Sequence, residues 1–196
     1  FLSGKYKGRR YGREYLPGYP PEYREGMGKE GQRKLLKFID EGGKVISWGG
    51  SVGLFAGILT TEEEGEEFQL PFTDISDELK KEGLYIPGTT IRVKVRDDHP
   101  ITYGMENEIG ILYSGGPVFS TSIPRFDMDR KVIVRFASDD LVMSGYGEKV
   151  ELLEKKTAAL WMKKGKGELV LFGFRPQFRA QTEVTYKLLF NSILLP

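Results

Sequence analysis

Residues 29–53 hold the stretch that most restricts the fold. "KEGQRKLLKFIDEGG" places Leu35, Leu36, Phe38 and Ile39 on one helical face and ends in Gly42 and Gly43, where a left-handed cap is expected. "KVISW" follows at once as an apolar strand and runs into Gly49, Gly50, Ser51, Val52 and Gly53. Helix, strand, glycine turn, with "VGLFAGIL" as a second helix, is one beat of an α/β layer fold with a mostly parallel sheet. Parallel strands need helical crossovers, so the strand at 44–48 requires parallel neighbours. None is available before residue 29, and the expectation is that a strand-helix-strand unit upstream, or another chain, completes the sheet.

The middle of the chain is β-rich. "TTIRVKV" alternates Ile91, Val93 and Val95 with Arg92 and Lys94 as a half-buried strand, and "NEIGILYSGGPVFS" and "KVIVRFAS" supply more strands. "TAALWMKKGKGELVLFGF" reads as a hairpin turning at Lys-Gly-Lys-Gly. "TEVTYKLLFNSILL" reads as a closing amphipathic helix, N-capped by Thr182, with Val184, Leu188, Ile193 and either Leu189 or Phe190 facing inward. Residues 1–28, rich in Gly, Pro and Tyr without an apolar period, are expected to be an extended loop, leaving 29–196 as the domain.

Composition narrows the chemistry. The chain of 196 residues has no Cys and a single His, His99, which excludes disulfides, thiolate metal sites, cysteine nucleophiles and multi-histidine zinc sites. That usage, with 29% charged residues, suits a thermophile. Net charge is +1, so the basic, Tyr-bearing "GKYKGRRYGREY" reads as a solvated loop, and no nucleic-acid partner is expected. No apolar run approaches the roughly 18–20 residues needed to span a bilayer, so no membrane partner is expected either. The compartment is left open, with the cytoplasm as default. A first residue that is Phe is expected of a chain beginning partway through something larger.

Gly49, Ser51 and Gly53 spell G-x-S-x-G, the pattern of a nucleophile elbow. His99, in "RDDHPI", is the single histidine that could serve Ser51 as base, which defines a serine-hydrolase reading. The alternative is a small residue fitting a tight turn, with Gly50, Ser51 and Val52 offering main-chain donors to an anion. Arg175, Arg179 and Gln181 follow the hairpin, at the strand ends where open α/β sheets bind ligands, and either clamp an oxyanion or pair with nearby carboxylates. Trp48 and Trp161 read as packing residues. Asp97, Asp98, Asp139 and Asp140 read as solvated loop acids, not a metal site.

The order elbow, β insertion, hairpin and "FGFRPQFRAQT" before a closing helix resembles the second half of a class I glutamine amidotransferase domain, a flavodoxin-like three-layer open sheet. That family carries Cys at the elbow and a later Phe-His-Pro-Glu-like motif whose His is the base. Here the matching residues are Ser51 and Phe174, Arg175, Pro176, Gln177. Arg stays protonated at working pH and offers only donors, so Arg175 cannot activate Ser51. The resemblance therefore implies a degenerate elbow and a degenerate base position, with no catalytic residue in this segment.

"PPEYREGMGKEGQRKLLKFIDEGGKVISWG", "YIPGTTIRVKVRDDHPITYGM", "VMSGY" and "LVLFGFRPQFRAQTEVTYKLLFNSIL" together resemble the amidotransferase-like C-terminal domain of some carboxypeptidase-A-like zinc peptidases, from about Pro20 onward. This implies an upstream peptidase domain that holds the zinc, no cofactor in this segment, and first strands of the appended domain lying outside it. The implied role is assembly, including a homo-oligomer, or small-ligand binding, and a stand-alone binding or oligomerisation module is the other reading.

Overall fold

The computed structural model describes residues 28–56, 60–63, 66–124 and 128–195. The N-terminal segment read as an extended loop lies outside them, apart from Gly28. The chain forms a mixed α/β fold around one open sheet.

Helix α1 (Gly28–Asp40) ends as the sequence requires. Gly42 has a φ of 113°, and Gly43 N–H returns to the Phe38 carbonyl at 2.8 Å. Leu36 and Ile39 are buried, but Phe38, expected on the inner face, is 52% exposed. Its ring lies over Gly43, where a Cβ would sit 2.3 Å from Cε1, so the ring shields the cap and not the core.

Strand β1 (Lys44–Trp48) follows, then a 3₁₀ turn at Gly49–Leu54. Over the described part of the helix expected at 52–59, Val52–Leu54 belong to this 3₁₀ element and 55–56 to a turn, and 57–59 lie outside the described residues. Gly49 adopts a φ of 55°. A two-stranded hairpin of β2 (Thr60–Glu63) and β3 (Glu66–Gln69) comes next, then β4 (Phe72–Asp74) and α2 (Ser76–Lys81). Strands β5 (Thr89–Val95), β6 (Glu108–Tyr113), β7 (Phe119–Thr121), β8 (Met128–Phe136) and β9 (Val142–Ser144) occupy the β-rich middle. The hairpin β10 (Thr157–Lys164) and β11 (Gly167–Phe172) and helix α3 (Thr185–Leu194) close the chain.

The main sheet runs β1-β11-β10-β8-β5-β6, with β4, β7 and β9 attached off this path. Its one parallel pair among the described residues is β1 with β11, in register from Lys44↔Glu168 to Trp48↔Phe172. All other pairings are antiparallel, so the expected mostly parallel sheet is corrected. Between β1 and β11 the chain returns largely through short connections, which favour antiparallel neighbours. β1 stands at one end of the order, with β11 its one partner among the described residues.

Two apolar clusters sit on opposite faces of this sheet. On one face Leu36 and Ile39 of α1 pack with Val52, Phe55, Leu169 and Leu171. On the other, Leu188 of α3 packs with Val170 and Phe172, flanked by Ile46, Trp48 and Trp161. Alternation along β11 divides its side chains between the two layers.

The closing helix starts later than Thr182. Thr185 N–H donates to the Thr182 carbonyl at 3.0 Å, so Thr182 opens a preliminary turn and Val184 holds the N-cap position. Thr185, fully buried, donates its hydroxyl to the Pro176 carbonyl at 2.7 Å, tying the helix to the segment after β11. Leu188 is buried as expected, whereas Ile193 is 56% exposed and Phe190 54%. The helix rests on the 3₁₀ turn Pro100–Thr102, and Asn191 Nδ2 donates to the Ile101 and Tyr103 carbonyls at 3.0 and 3.1 Å. That seating turns Ile193 away from the sheet.

Leu188→Ala should therefore cost about 2–5 kcal/mol by chemical denaturation, from lost transfer energy plus a cavity. Phe190→Ala should stay within about 0.5 kcal/mol of the parent. Equal effects would mean that the helix is seated on its other face.

Candidate functional site

Because β1 and β11 run parallel, their C-terminal ends emerge side by side. The turn after β1 and the segment Gly173–Phe174–Arg175 after β11 form one wall of an open cleft of about 600 Å³. Asp74, ahead of α2, and Asp77 and Lys80 within it also line the cleft, as do Gly115, Gly116 and Pro117. The packing here is tight: a Cβ on Gly116 would stand 2.1 Å from the Gly173 carbonyl oxygen, so the segment before β7 and the segment after β11 meet main chain to main chain. Tyr113 pins this contact by donating its hydroxyl to the Gly116 carbonyl at 2.6 Å. Burial, reinforced by the charge of Asp74, pushes the Tyr113 pKa up beyond the ordinary tyrosine range and keeps it a neutral donor.

Ser51 is engaged elsewhere. Its hydroxyl donates to the Trp48 carbonyl at 2.8 Å and lies 2.7 Å from the Ser47 hydroxyl. Within Gly49–Leu54 only Gly49 has positive φ, so the turn's unusual backbone falls on glycine and not on Ser51. Ser51 does not line the cleft, and Val52, expected as a main-chain donor, is fully buried in the α1-side core.

His99 is on the other side of the sheet. Its ring packs 5.1 Å from that of Trp161, which pairs with Val170, which in turn pairs with Ile46. Paired residues share a face, and Ser47, the next residue, points to the opposite one. His99 is only 8% exposed, and its Nδ1 accepts the Ile101 N–H at 3.3 Å. Burial lowers its pKa, and Lys131 and Arg96 lower it further. The Ser51–His99 pair of the hydrolase reading is thus separated by the sheet.

Arg175 is brought to the turn as the order of motifs implied. It is exposed, a Cβ on Gly49 would lie 3.8 Å from its Nε, and its guanidinium stands 5.7 Å over the Phe178 ring. Among the described residues it makes no ion pair. Of the other expected ligand residues, Gly50 and Gln181 line the cleft, while Arg179 does not. The Arg179 guanidinium also stands over the Phe178 ring, at 5.4 Å, and Arg179 has a φ of 50°, with Ala180 following at 53°. Two consecutive left-handed residues other than glycine mark a strained turn beside the cleft.

Asp74 and Lys80 were not singled out by sequence reasoning. The available signal was "TDISDELKK", an Asp two residues before a Ser that opens acid-then-base helix chemistry. Asp74 Oδ1 accepts the N–H groups of Ser76 at 2.9 Å and Val118 at 3.2 Å, which fixes α2 against β7. Lys80 pairs with Asp77 at 3.3 Å in an exposed position, worth little in stability. Of the loop acids, Asp98 pairs with Arg96, and Asp140 shares Arg92 with Glu108, so these are bound in surface ion pairs.

The lowered pKa of His99 gives a pH signature. A base whose folded pKa lies below its unfolded value of about 6.5 supports full stability above that value, and stability falls as pH drops from there through the folded pKa. Asp98, held low by its hydrogen bond to Arg96, titrates below this window. The melting temperature should fall as pH drops below about 6.5, and His99→Phe should flatten that portion of the profile. An unchanged slope in the variant would place the titration on another group.

A scan against protein-family models matches none, and a search of curated proteins returns no match. Among solved structures the chain is similar to a β-galactosidase from Bacillus circulans sp. alkalophilus, at 13% identity and a TM-score of 0.45. That similarity covers 84% of this chain and 20% of the other, so the chain spans about a fifth of the enzyme's length.

Proposed function

We propose that this segment is a non-catalytic, amidotransferase-like accessory domain of a larger zinc carboxypeptidase, serving assembly or ligand binding. The observation that carries the reading is the neighbour of the glycine turn. Where an amidotransferase needs a base, the guanidinium of Arg175 lies beside Gly49. A guanidinium is permanently protonated and donates only, so a hydroxyl at the turn has nothing to take its proton. Ser51 meanwhile gives its hydrogen to the Trp48 carbonyl.

The flavodoxin-like assignment draws support from the adjacency of the turn after β1 and the motif after β11, and from α1 and α3 on opposite faces of those strands. In this reading the zinc belongs to the peptidase domain. The lone histidine of this segment faces Trp161 with one ring nitrogen already accepting, and it does not fit a zinc site here. An assembly role is favoured by β1, which among the described residues stands at the end of the sheet order, and by the exposed Ile193 and Leu194 of α3. Lys44 at the start of β1 donates to the Leu195 carbonyl, so the edge and the helix end adjoin.

Incubation with a fluorophosphonate probe should give no labelling that depends on Ser51, and Ser51→Ala should label as the parent does. Ser51-dependent labelling would establish the hydrolase reading instead. The complete gene product should hydrolyse C-terminal residues from peptides and lose that activity with a chelator. A complete product without a peptidase domain would leave the stand-alone module, which light scattering would then assign as monomer or oligomer.

A further inference from the structure

Two opposite charges line the cleft without neutralising each other. Arg175 is free of ion pairs among the described residues, and Asp74, which also lines the cleft, accepts main-chain donors at Oδ1. Asp77 and Lys80 pair with each other, which leaves Arg175 and Asp74 as the lining charges without an ion-pair partner among the described residues. The lining thus offers a bound group both a planar donor fork and a fixed acceptor.

Part of the lining is main chain. Gly49 and Gly50 line the cleft, and a glycine has only its backbone to present. Gly49 is required by its φ of 55°. Gly50 is required by neither conformation nor packing: its φ is not positive, and a Cβ there would meet nothing within 4 Å. The space above it opens into the cleft. Amide N–H and carbonyl groups together suit hydroxyls, which donate and accept, better than ammonium groups, which only donate. The volume is that of a site for a small metabolite.

We propose that the cleft binds a small polyhydroxylated oxyanion, a sugar acid or a sugar phosphate, with its anionic group on Arg175 and its hydroxyls on Asp74 and the main chain at Gly49 and Gly50. This deepens the ligand-binding half of the function proposed above and rests on that reading for the idle elbow. Phe178, stacked under the guanidinium, holds the fork in place.

Calorimetric titration of the 196-residue chain with gluconate, glucose 6-phosphate and inorganic phosphate tests the site. Saturable binding of gluconate or glucose 6-phosphate is expected, and which of the two binds tighter identifies the anion as carboxylate or phosphate. Arg175→Gln should weaken it about tenfold or more, and Arg175→Lys, which keeps the charge but not the fork, should weaken it less. Gly50→Val should also weaken it, with the unliganded melting temperature unchanged because the added atoms enter open space. Ser51→Ala should leave affinity unaltered, since Ser51 is not in the wall. No saturable binding at millimolar concentrations, or affinities indifferent to both Arg175→Gln and Gly50→Val, overturns the site. Inorganic phosphate binding as tightly as both sugar anions overturns the hydroxyl contacts. The idle-elbow reading depends on probe labelling at Ser51, so each proposal fails by its own measurement.

Discussion

The parallel pairing of β1 with β11 is the constraint on which the candidate site depends. It joins a strand near the start of the described chain to one near its end, and its register from Lys44↔Glu168 to Trp48↔Phe172 decides what emerges together at the C-terminal edge. A one-residue slip would exchange the faces of Ile46 and Ser47, moving the Ser47–Ser51 contact into the layer that holds Trp161 and His99. The apolar division of β11, Leu169 and Leu171 to one side and Val170 and Phe172 to the other, opposes that slip. The same pairing gives Lys44 its partner Glu168 at 3.1 Å.

The chemistry at the strand ends then follows from side-chain type. An imidazole beside the turn would alternate between accepting and donating, whereas a guanidinium holds one fixed polarity. Such a group suits recognition better than proton transfer. Its surroundings agree: an aromatic ring beneath it, glycine main chain beside it, and a carboxylate in the same cleft lining. The strained turn at Arg179 and Ala180 lies on the segment that also places Phe178 and Gln181, so the local backbone cost is borne where the cleft wall is built.

Several of these features were legible in the sequence because they depend on neighbours along the chain. Alternation gave β5, glycine spacing gave the β10–β11 hairpin, and Gly42–Gly43 gave the end of α1. Arg175 reached the turn by analogy of motif order. Strand direction was not legible, since a strand's pattern records which face is buried and not who lies beside it. Asp74 escaped because its role is set by Val118, 44 residues away, and the cleft wall it forms comes from a separate segment. Val52 is apolar and was read for its main chain, but its side chain has a core to fill. Phe190 and Ile193 satisfy helical periodicity equally well on a face that nothing in the described structure covers.

The tip of the β10–β11 hairpin has a bearing on how the chain is made. Lys164 reaches Asp40 at the end of α1 at 2.6 Å, across 124 residues, and Gly167 lies so close that a Cβ would fall 2.1 Å from the Ile39 carbonyl oxygen. During synthesis, α1 and β1 leave the ribosome long before the hairpin that receives them. At about 5–20 residues per second, that interval is on the order of ten seconds. For that time the α1–β1 unit has a buried-to-be face and a sheet edge but no native partner strand, and the last quarter of the chain closes the structure as a clasp. Pairing so distant along the chain slows folding, because the loop between the two strands must close before the contact forms.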